Sequence, residues 1–279
     1  MALSKAHAHI RLRHQTLINW HIYSAGLLSI GLFALTGWLL SLFRNNVTHV
    51  DSMWSLFLGM SAYTYTLSFY ELDPRTLLVL SLVTIWSIRL CVYLTWRNWN
   101  PHEDHRYAAI RRNNGPYFWF TSIYIVFGLQ AVLAWVISMS LFGAIGSKSA
   151  LNSFDIWGAL IVIVGISWES IADWQLSSFK AKFNNKDKVL NSGLWRYSRH
   201  PNYFGECCVW WGFYLISVGA GAWWTIASPL LMTLLLLKVS GVALLEKDIA
   251  ERRPAYLQYI KNTNAFLPGL AKKKINKLH

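Results

Sequence analysis

The segment at residues 196–206, RYSRHPNYFGE, gathers groups that bind ligands or exchange protons, directly in front of the apolar run CCVWWGFYLISVGAG. A charged group at membrane depth costs about 3 kcal/mol unless it is paired or lines a wet cavity. Arginine binds phosphate through its forked guanidinium group, and tyrosine offers a flat face to a planar ring. We therefore interpret this segment as part of a binding or catalytic site.

Two further polar clusters lie inside or beside apolar stretches. Arg89, Tyr93 and Arg97 follow one another at four-residue steps, which places them on one face of a helix that leads into the polar loop NPHEDHRY. Glu169 and Asp173 are also one turn apart on one face. We expect these opposite charges to meet. The clusters together predict a charged cavity rimmed by aromatic residues, suited to an anionic cofactor.

Taken one at a time, these residues also have a plainer interpretation. Arg97 and Arg106 can serve as anchors at the membrane surface, and the two acids can pair with Lys180 or Lys182 on a solvated helix end. Arg89 fits this interpretation least well, because it lies well inside an apolar stretch, where an unpaired guanidinium is costly.

The elements that hold these residues are predicted to be membrane-spanning helices. The 279-residue chain is 54% hydrophobic and only 14% charged, with 16 tryptophans, whereas about a quarter of an average soluble domain is charged. Stretches that approach the roughly 20 apolar residues of a span lie near 20–43, 53–70, 77–96, 117–143, 155–176, 206–220 and 223–245. We predict an all-α integral membrane protein with about seven transmembrane helices and a cofactor cavity on the cytoplasmic side.

Basic residues predict the orientation and the organisation of the chain. About 19 of the 26 lysines and arginines fall in the odd-numbered loops and the C-terminus, which therefore should face the cytoplasm, with the N-terminus on the opposite side. We divide the chain into an N-terminal basic segment, 1–19, a multi-span domain, 20–268, and a basic tail, 269–279. The N-terminus lacks the apolar core of a signal peptide, so we expect it to be retained. GAGAWW at 219–224 predicts a tight hairpin, with Gly219 and Gly221 in its turn.

The net charge of +13 reflects this inside-positive pattern, so we expect no nucleic-acid partner and instead a surface attracted to membrane lipids. The spacing of the cysteines and histidines predicts neither a disulfide framework nor a metal site. These residues are Cys91, Cys207, Cys208, His7, His9, His14 and His21.

Several stretches resemble a known family. GLWRYSRHPNYFGE, LLEKDIAERRPAYLQYIKNTNAFLP, and WSIRLCVYLTWR with EDHRY together resemble the steroid 5-alpha reductase-like membrane family, in particular its bacterial branch, from about Asp51 to Pro268. The N-Y-x-G-E of residues 202–206 is also similar to the N-Y-x-G-D of the sterol C14 and C7 reductases. The resemblance implies a multi-span reductase of the bacterial inner membrane that draws hydride from NADPH in a cytoplasmic cavity.

Position by position, the resemblance also implies which residues face NADPH. Those in and after the third span are Arg89, Tyr93, Arg97, Arg106 and Tyr107. Those in the later part of the chain are Asp173, Tyr197, Arg199, His200, Asn202, Tyr203, Glu206, Glu246, Tyr256 and Tyr259.

The chain departs from the family where the substrate is polarised. Steroid reductases use a Gln-Glu pair in the second span and a tyrosine in the third to hold a keto group. The second span here contains no glutamine and no glutamate, and Trp86 occupies the position of the third-span tyrosine. Hydride addition to an enone builds negative charge on its oxygen, so a donor is needed there. Trp86, Tyr63, Tyr65 and Gln130 are the candidates, and the sequence does not choose among them. Asp51 and Trp54 match positions typical of the bacterial branch and are expected near the substrate pocket.

We therefore expect an NADPH-dependent reductase of an activated carbon–carbon double bond in a lipophilic substrate that enters from the bilayer. RHPNYFG also resembles the RHPxYxG of isoprenylcysteine carboxyl methyltransferases, which bind S-adenosylmethionine. The acid after the glycine and the arginine stripe favour the reductase. A non-catalytic or transport role stays open, although the sequence shows no internal repeats.

Overall fold

The computed structural model describes residues 19–70, 72–99, 102–185, 188–239 and 255–270, and all regular structure in these ranges is helical. The described residues form two compact units. The first unit contains the residues up to Leu151 together with Ser217–Thr225. The second contains Asn152–Ile216 and the residues from Ile226 onward.

The first unit is built from three long helices and a helical run. The helices are α1, Trp20–Arg44, α2, Val50–Phe69, and α3, Pro74–Arg97. The run starts with α4, His105–Asn114, and continues through the 3-10 turn Gly115–Tyr117, α5, Phe118–Ser122, the π-helical segment Ile123–Gly128, α6, Leu129–Ile137, and α7, Met139–Ile145.

Local residue chemistry accounts for where α1 to α3 begin and end. The side chain of Asn19 accepts a hydrogen bond from the Ile22 N–H at the start of α1, and Asp73 caps α3 in the same way. Pro74, directly after that cap, occupies the first helical position, where its missing N–H costs nothing. The first two helices end at left-handed residues, Asn45 and Tyr70.

Helix α2 lies at the centre of the first unit and packs against α1, α3 and the helical run. Gly26 and Gly37 of α1 sit directly on the Tyr65 ring and the end of the Met53 side chain of α2, so that a Cβ at either position would displace its neighbour. The Tyr65 ring packs in turn against Phe142 of α7, with ring centroids 5.2 Å apart. These contacts fix α2, whose first turn carries Asp51, between its neighbours.

The second unit contains two long helices and a shorter C-terminal group. The elements are α8, Ser153–Lys180, the 3-10 turns Phe183–Asn185 and Gly193–Arg196, α9, Pro201–Gly219, α10, Ala227–Leu234, the π-helical segment Leu235–Val239, and α11, Ala255–Asn262. Asn152 and Asp155 form a capping box at the start of α8. After α9 the chain turns at Gly221, whose φ of 86° favours glycine. The predicted hairpin is thereby confirmed.

Helices α8 and α9 approach each other through glycines. A Cβ on Gly165 would lie 2.7 Å from the carbonyl oxygen of Gly205, and one on Gly158 would lie 2.7 Å from that of Gly212. Such distances leave no room for any side chain. The two pairs are spaced seven residues apart on both helices, so the backbones touch along one seam.

Four helical stretches among the described residues are long and apolar enough to cross a membrane: Trp20–Arg44, Pro74–Arg97, His105–Ile145 and Ser153–Lys180. Trp223–Lys238 is a shorter apolar helix. Each of the seven predicted stretches coincides with a helix over its described residues, and the protein is an all-α membrane protein. The helices at the second and sixth stretches, α2 and α9, are not among the four, so the total of seven spans stays a prediction. The N-terminal basic segment up to residue 18 and the tail from residue 271 lie outside the described residues.

Candidate functional site

In the second unit, the RYSRHPNYFGE segment meets the acidic face of α8. The Nδ2 of Asn202, in the first turn of α9, donates a hydrogen bond to the Oδ1 of Asp173, at 3.2 Å. Asn202 is half-buried and Asp173 is buried. Two residues that the sequence assigned to one site, 29 positions apart, are therefore brought together.

Several ionisable residues around this contact are buried. Glu169 lies one turn before Asp173 on α8, and its backbone packs against Gly205 of α9. Glu206 and His200 are buried as well. A helix pair with this many buried polar groups is costly to form unless the groups are satisfied or serve a ligand. The second unit thus contains the strongest concentration of candidate site residues.

An aromatic platform flanks Asn202. The His200 imidazole and the Tyr203 ring are stacked, with centroids 5.6 Å apart and planes 4° from parallel. Phe204, the next residue of α9, packs edge to face against Trp168 of α8 at 5.8 Å and against Phe266 at 6.1 Å. The motif therefore combines a stacked ring pair with a phenylalanine that anchors it to α8 and to the C-terminal segment.

Arg199 caps a helix in this structure. Its Nη1 donates hydrogen bonds to the carbonyl oxygens of Ile260, at 3.1 Å, and Thr263, at 2.6 Å, and its backbone N–H donates to Asn264. These carbonyls lie at the C-terminal end of α11, where they lack partners within the helix and where positive charge is favoured. The resemblance assigned Arg199 to the cofactor, whereas the contacts seen for Nη1 hold the C-terminal helix.

Other residues of the same segment fasten the chain that follows α11. Ser198 Oγ donates to the Phe266 carbonyl oxygen at 2.8 Å and accepts a hydrogen bond from the His200 N–H at 3.1 Å. The Tyr259 hydroxyl donates to the carbonyl oxygens of Trp195 and, at 3.2 Å, Ser198. Through these bonds residues 195–200 and the C-terminal segment form one hydrogen-bonded block.

Sequence reasoning missed three residues in this unit. Ser198 and Trp195 are buried, and the indole N–H of Trp195 donates to the Ala172 carbonyl oxygen at 3.0 Å. Gly205 allows the close approach of α8 and α9 described above, whereas the sequence indicated it only as the glycine of the N-Y-x-G-E motif. A signal was present in the seven-residue spacing of glycines on both helices.

The remaining predicted residues of the second unit lie around this block. Tyr197 is exposed, and its carbonyl oxygen accepts a hydrogen bond from the Gly269 N–H at 3.0 Å. Tyr256 is buried against Tyr259, with ring centroids 5.4 Å apart in an edge-to-face arrangement. Glu246 lies outside the described residues.

In the first unit, a second network forms around Asp51. Arg106 Nη2 contacts Asp51 Oδ2 at 2.6 Å, and the Tyr107 hydroxyl donates to Asp51 Oδ1 at 2.5 Å. Gln130, at the start of α6, donates from Nε2 to the Tyr107 hydroxyl oxygen at 3.1 Å. Asp104 Oδ1 accepts a hydrogen bond from Arg106 Nε at 3.0 Å. Four residues predicted near the cofactor or the substrate are therefore joined.

A salt bridge beside this network ties α4 to the loop between α1 and α2. Arg111 binds Glu103 through two hydrogen bonds, at 2.7 and 2.8 Å, and Glu103 also accepts from the Val47 N–H at 3.0 Å. Burial raises the pKa of the Glu103 carboxyl, but the hydrogen bonds and charge of Arg111 outweigh it and hold this pKa below its ordinary range. The pKa of Asp104 is lowered in the same way by Arg106, against the effect of burial.

The predicted stripe on α3 is present as a helical face. Arg89 and Tyr93 are half-buried, and Arg97 is exposed. The Arg97 guanidinium lies 5.7 Å from the centre of the Tyr93 ring, and its Nε donates to Asn98 at 3.1 Å. The spacing of the stripe is therefore confirmed, while its predicted cofactor stays a prediction.

The candidate substrate-polarising residues do not share one face. Tyr63 is exposed, and its hydroxyl pairs with Thr84 at 2.8 Å. Tyr65 is fully buried with its hydroxyl 2.7 Å from Ser138 Oγ. Trp86 is also fully buried, and Trp54 is half-buried on α2.

Comparison of the sequence with known proteins identifies the family of this chain. Residues 37–263 match the family model described as "Protein of unknown function (DUF1295)". An uncharacterized protein of Schizosaccharomyces pombe is 26% identical over 288 aligned residues, which cover 90% of this chain and 81% of that protein. No solved structure matches. Because the family model covers most of the chain, including both networks, the protein belongs to the DUF1295 family.

Proposed function

We propose that the protein is a membrane-embedded, NADPH-dependent reductase that acts on an activated carbon–carbon double bond of a lipophilic substrate. The DUF1295 family is associated with the steroid 5-alpha reductase-like superfamily. The observation that carries the proposal is the hydrogen bond between Asn202 and Asp173. It joins the N-Y-x-G-E motif to the acidic face of α8.

This hydrogen bond fixes which way the Asn202 amide points. A carboxylate only accepts hydrogen bonds, so the amide nitrogen must face Asp173. The amide oxygen and the second N–H of Asn202 then point elsewhere, and neither has a hydrogen bond within the described residues. A paired donor and acceptor of this kind complements a carboxamide group, such as the one on a nicotinamide ring.

The residues of the second unit fit a nicotinamide cofactor in two further respects. The stacked His200 and Tyr203 rings can pack against a planar ring. Phe204 packs against the Trp168 and Phe266 rings and so anchors the first turn of α9 that carries Asn202. When bound, NADPH supplies a hydride. Asn202 would hold the carboxamide, Asp173 would orient Asn202, and the ring pair would set the plane. The arginines of the α3 stripe are proposed phosphate contacts on the resemblance alone.

The test is titration of the purified protein in detergent with NADPH, followed by calorimetry and by energy transfer from tryptophan to the cofactor. We expect saturable binding that falls at least several-fold in Asn202→Ala and in Arg89→Ala. Asn191→Ala and Arg112→Ala are matched controls, because both positions are exposed. Absence of NADPH binding to the folded wild-type protein contradicts the proposal.

S-adenosylmethionine, the ligand of the methyltransferases that share RHPxYxG, is measured beside NADPH. A ligand present at one hundred times its dissociation constant stabilises a protein by about 2.7 kcal/mol. We expect NADPH alone to raise the melting temperature. A shift with S-adenosylmethionine and none with NADPH would replace the reductase by the methyltransferase.

A further inference from the structure

We propose that Gln130 binds the carbonyl oxygen of a neutral, lipophilic substrate, with Tyr107 and Asp51 as its positioning residues. This inference rests on the proposed reductase function, which needs such a contact and for which the sequence left four candidates. The three residues come from three separate elements of the first unit: the first turn of α2, the start of α4 and the start of α6.

The network determines the orientation of the Gln130 amide. Asp51 forms a salt bridge with Arg106, and its carboxylate accepts the only hydrogen of the Tyr107 hydroxyl. The Tyr107 oxygen can then only accept from Gln130, which places Nε2 toward Tyr107. One N–H and the carbonyl oxygen of Gln130 are left, and neither has a hydrogen bond within the described residues. The remaining N–H is the donor that a substrate carbonyl requires.

The helix around Gln130 supports a functional role. Residues Ile123–Gly128 form a π-helical segment, and Gln130 follows it two residues later. Such segments insert an extra residue into a helix turn and occur often at functional sites. Gln130 is half-buried inside the long helical stretch His105–Ile145, at a depth where a polar side chain is costly without a ligand or partner.

The contacts of the other candidates favour Gln130. The Tyr65 hydroxyl is sealed in the core of the first unit against Ser138, with no exposed ring surface. The Trp86 side chain is likewise fully buried. Tyr63 of α2 is exposed, and its hydroxyl pairs with Thr84 of α3. Gln130 is half-buried, donates one N–H to Tyr107 and keeps a second N–H without a hydrogen bond in the described part of the chain, whereas the Tyr63 hydroxyl has a single hydrogen and is already paired with Thr84.

The charges around the network define the class of ligand. The Arg106 guanidinium is shared between two carboxylates, Asp51 and Asp104, so the cluster carries no spare positive charge. The group that contacts Gln130 is the neutral Tyr107 phenol. A phosphate or carboxylate ligand would meet net negative charge there, whereas a neutral ketone meets a donor without that cost.

The experiment compares 3-dodecylcyclohex-2-enone with 1-dodecylcyclohexene, a pair that differs in the carbonyl group. Binding to the purified protein in detergent is measured by tryptophan quenching, without and with NADPH. The carbonyl stretch of a 13C-labelled enone is recorded by infrared difference spectroscopy. We expect the wild-type protein to bind the enone about 3- to 10-fold more tightly than the hydrocarbon, with its carbonyl stretch at lower frequency than in detergent alone.

Gln130→Leu should abolish both the preference and the frequency shift. Gln258→Leu, the same change at an exposed glutamine of α11, should leave both unchanged. Tyr107→Phe removes the support of the amide and should weaken both, which keeps the test decisive if Gln130→Leu does not fold. Equal binding of the two probes to the wild type, or an unchanged shift in folded Gln130→Leu, overturns the inference. Because the preference is also measured without NADPH, a failure of cofactor binding sinks the proposed function and not this contact.

Discussion

Gly205 of α9 packs on the backbone of Glu169 in α8: a Cβ at position 205 would lie 2.7 Å from the Glu169 nitrogen and 2.8 Å from the Gly165 carbonyl oxygen. Backbone atoms cannot move aside as a flexible side chain can. The contact therefore sets the distance between the two helices at the level of Asn202 and Asp173, three and four residues away along the chain.

We expect Gly205→Ala to destabilise the protein by about 1–3 kcal/mol, the usual cost of overpacking, and to weaken NADPH binding because Asn202 moves away from Asp173. Thermal unfolding in detergent and cofactor titration measure the two effects. Gly31→Ala is the control, since a Cβ at Gly31 of α1 meets no atom within 4 Å. There alanine should stabilise the helix by about 0.5–1 kcal/mol. Equal stability of the two variants would contradict the role of Gly205.

Arg199→Met should chiefly destabilise the C-terminal segment. Removing a charged donor from buried carbonyls costs about 1.5–3 kcal/mol, and the carbonyls concerned are those of Ile260 and Thr263. Hydrogen exchange and limited proteolysis should show residues 255–270 exposed sooner than in the wild type. Arg196→Met, at an exposed position, is the matched control. If NADPH affinity falls while protection of this segment is unchanged, Arg199 contacts the cofactor instead.

The two tyrosines of α2 should respond differently to loss of their hydroxyl groups. Tyr65→Phe removes a buried hydrogen bond to Ser138 and should lower the free energy of unfolding by about 1 kcal/mol. Tyr63→Phe removes an exposed bond to Thr84 and should change it by less than about 0.5 kcal/mol. Chemical unfolding of both variants checks this. A larger loss for Tyr63→Phe would reverse the assignment of core and surface.

Acid should release the loop between α1 and α2 from α4. The pKa of Glu103 is lower in the folded state than in the unfolded chain. Its contribution to stability is therefore complete above the unfolded-state pKa of about 4.3 and is lost as the pH falls through the lower folded-state pKa. The protection factor of the Val47 amide, which binds Glu103, should therefore fall in this range, relative to the intrinsic exchange rate at each pH. Glu103→Ala, which removes the acceptor, should show low protection of this amide already at neutral pH, and a Val47 amide that stays protected in the variant would count against the role of Glu103.

Much of the fold follows from the sequence, because apolar runs long enough to span a bilayer have few alternatives to helix. The same holds for Asn202 and Asp173, since a costly polar residue beside a membrane segment signals a partner or a ligand. What the sequence could not reveal is which partner each residue takes. Arg199 and Tyr259 are residue types that suit a cofactor, yet each donates hydrogen bonds to backbone carbonyls. Every residue has such a carbonyl, so the sequence cannot indicate which ones serve as partners.

The partner of Gln130 could not be predicted from the sequence either. Its amide became one candidate among four because a donor was needed, and only the three-dimensional contact with Tyr107 distinguishes it. The π-helical segment that precedes Gln130 has no sequence signature in IYIVFG. The glycines at 158, 165, 205 and 212 did carry a readable signal, a shared seven-residue spacing on two helices.

The block formed by residues 195–200 and the C-terminal segment has a consequence for biosynthesis. Arg199 donates a hydrogen bond to the carbonyl of Ile260, which is synthesised 61 residues later. Ser198 donates to that of Phe266, which is synthesised 68 residues later. While the ribosome is still translating α11, residues 198 and 199, at the start of the N-Y-x-G-E helix, lack these partners. A nascent chain that ends before residue 260 therefore contains the complete motif without these partners, and we expect a premature stop codon before residue 260 to disturb this site although the motif itself is unchanged.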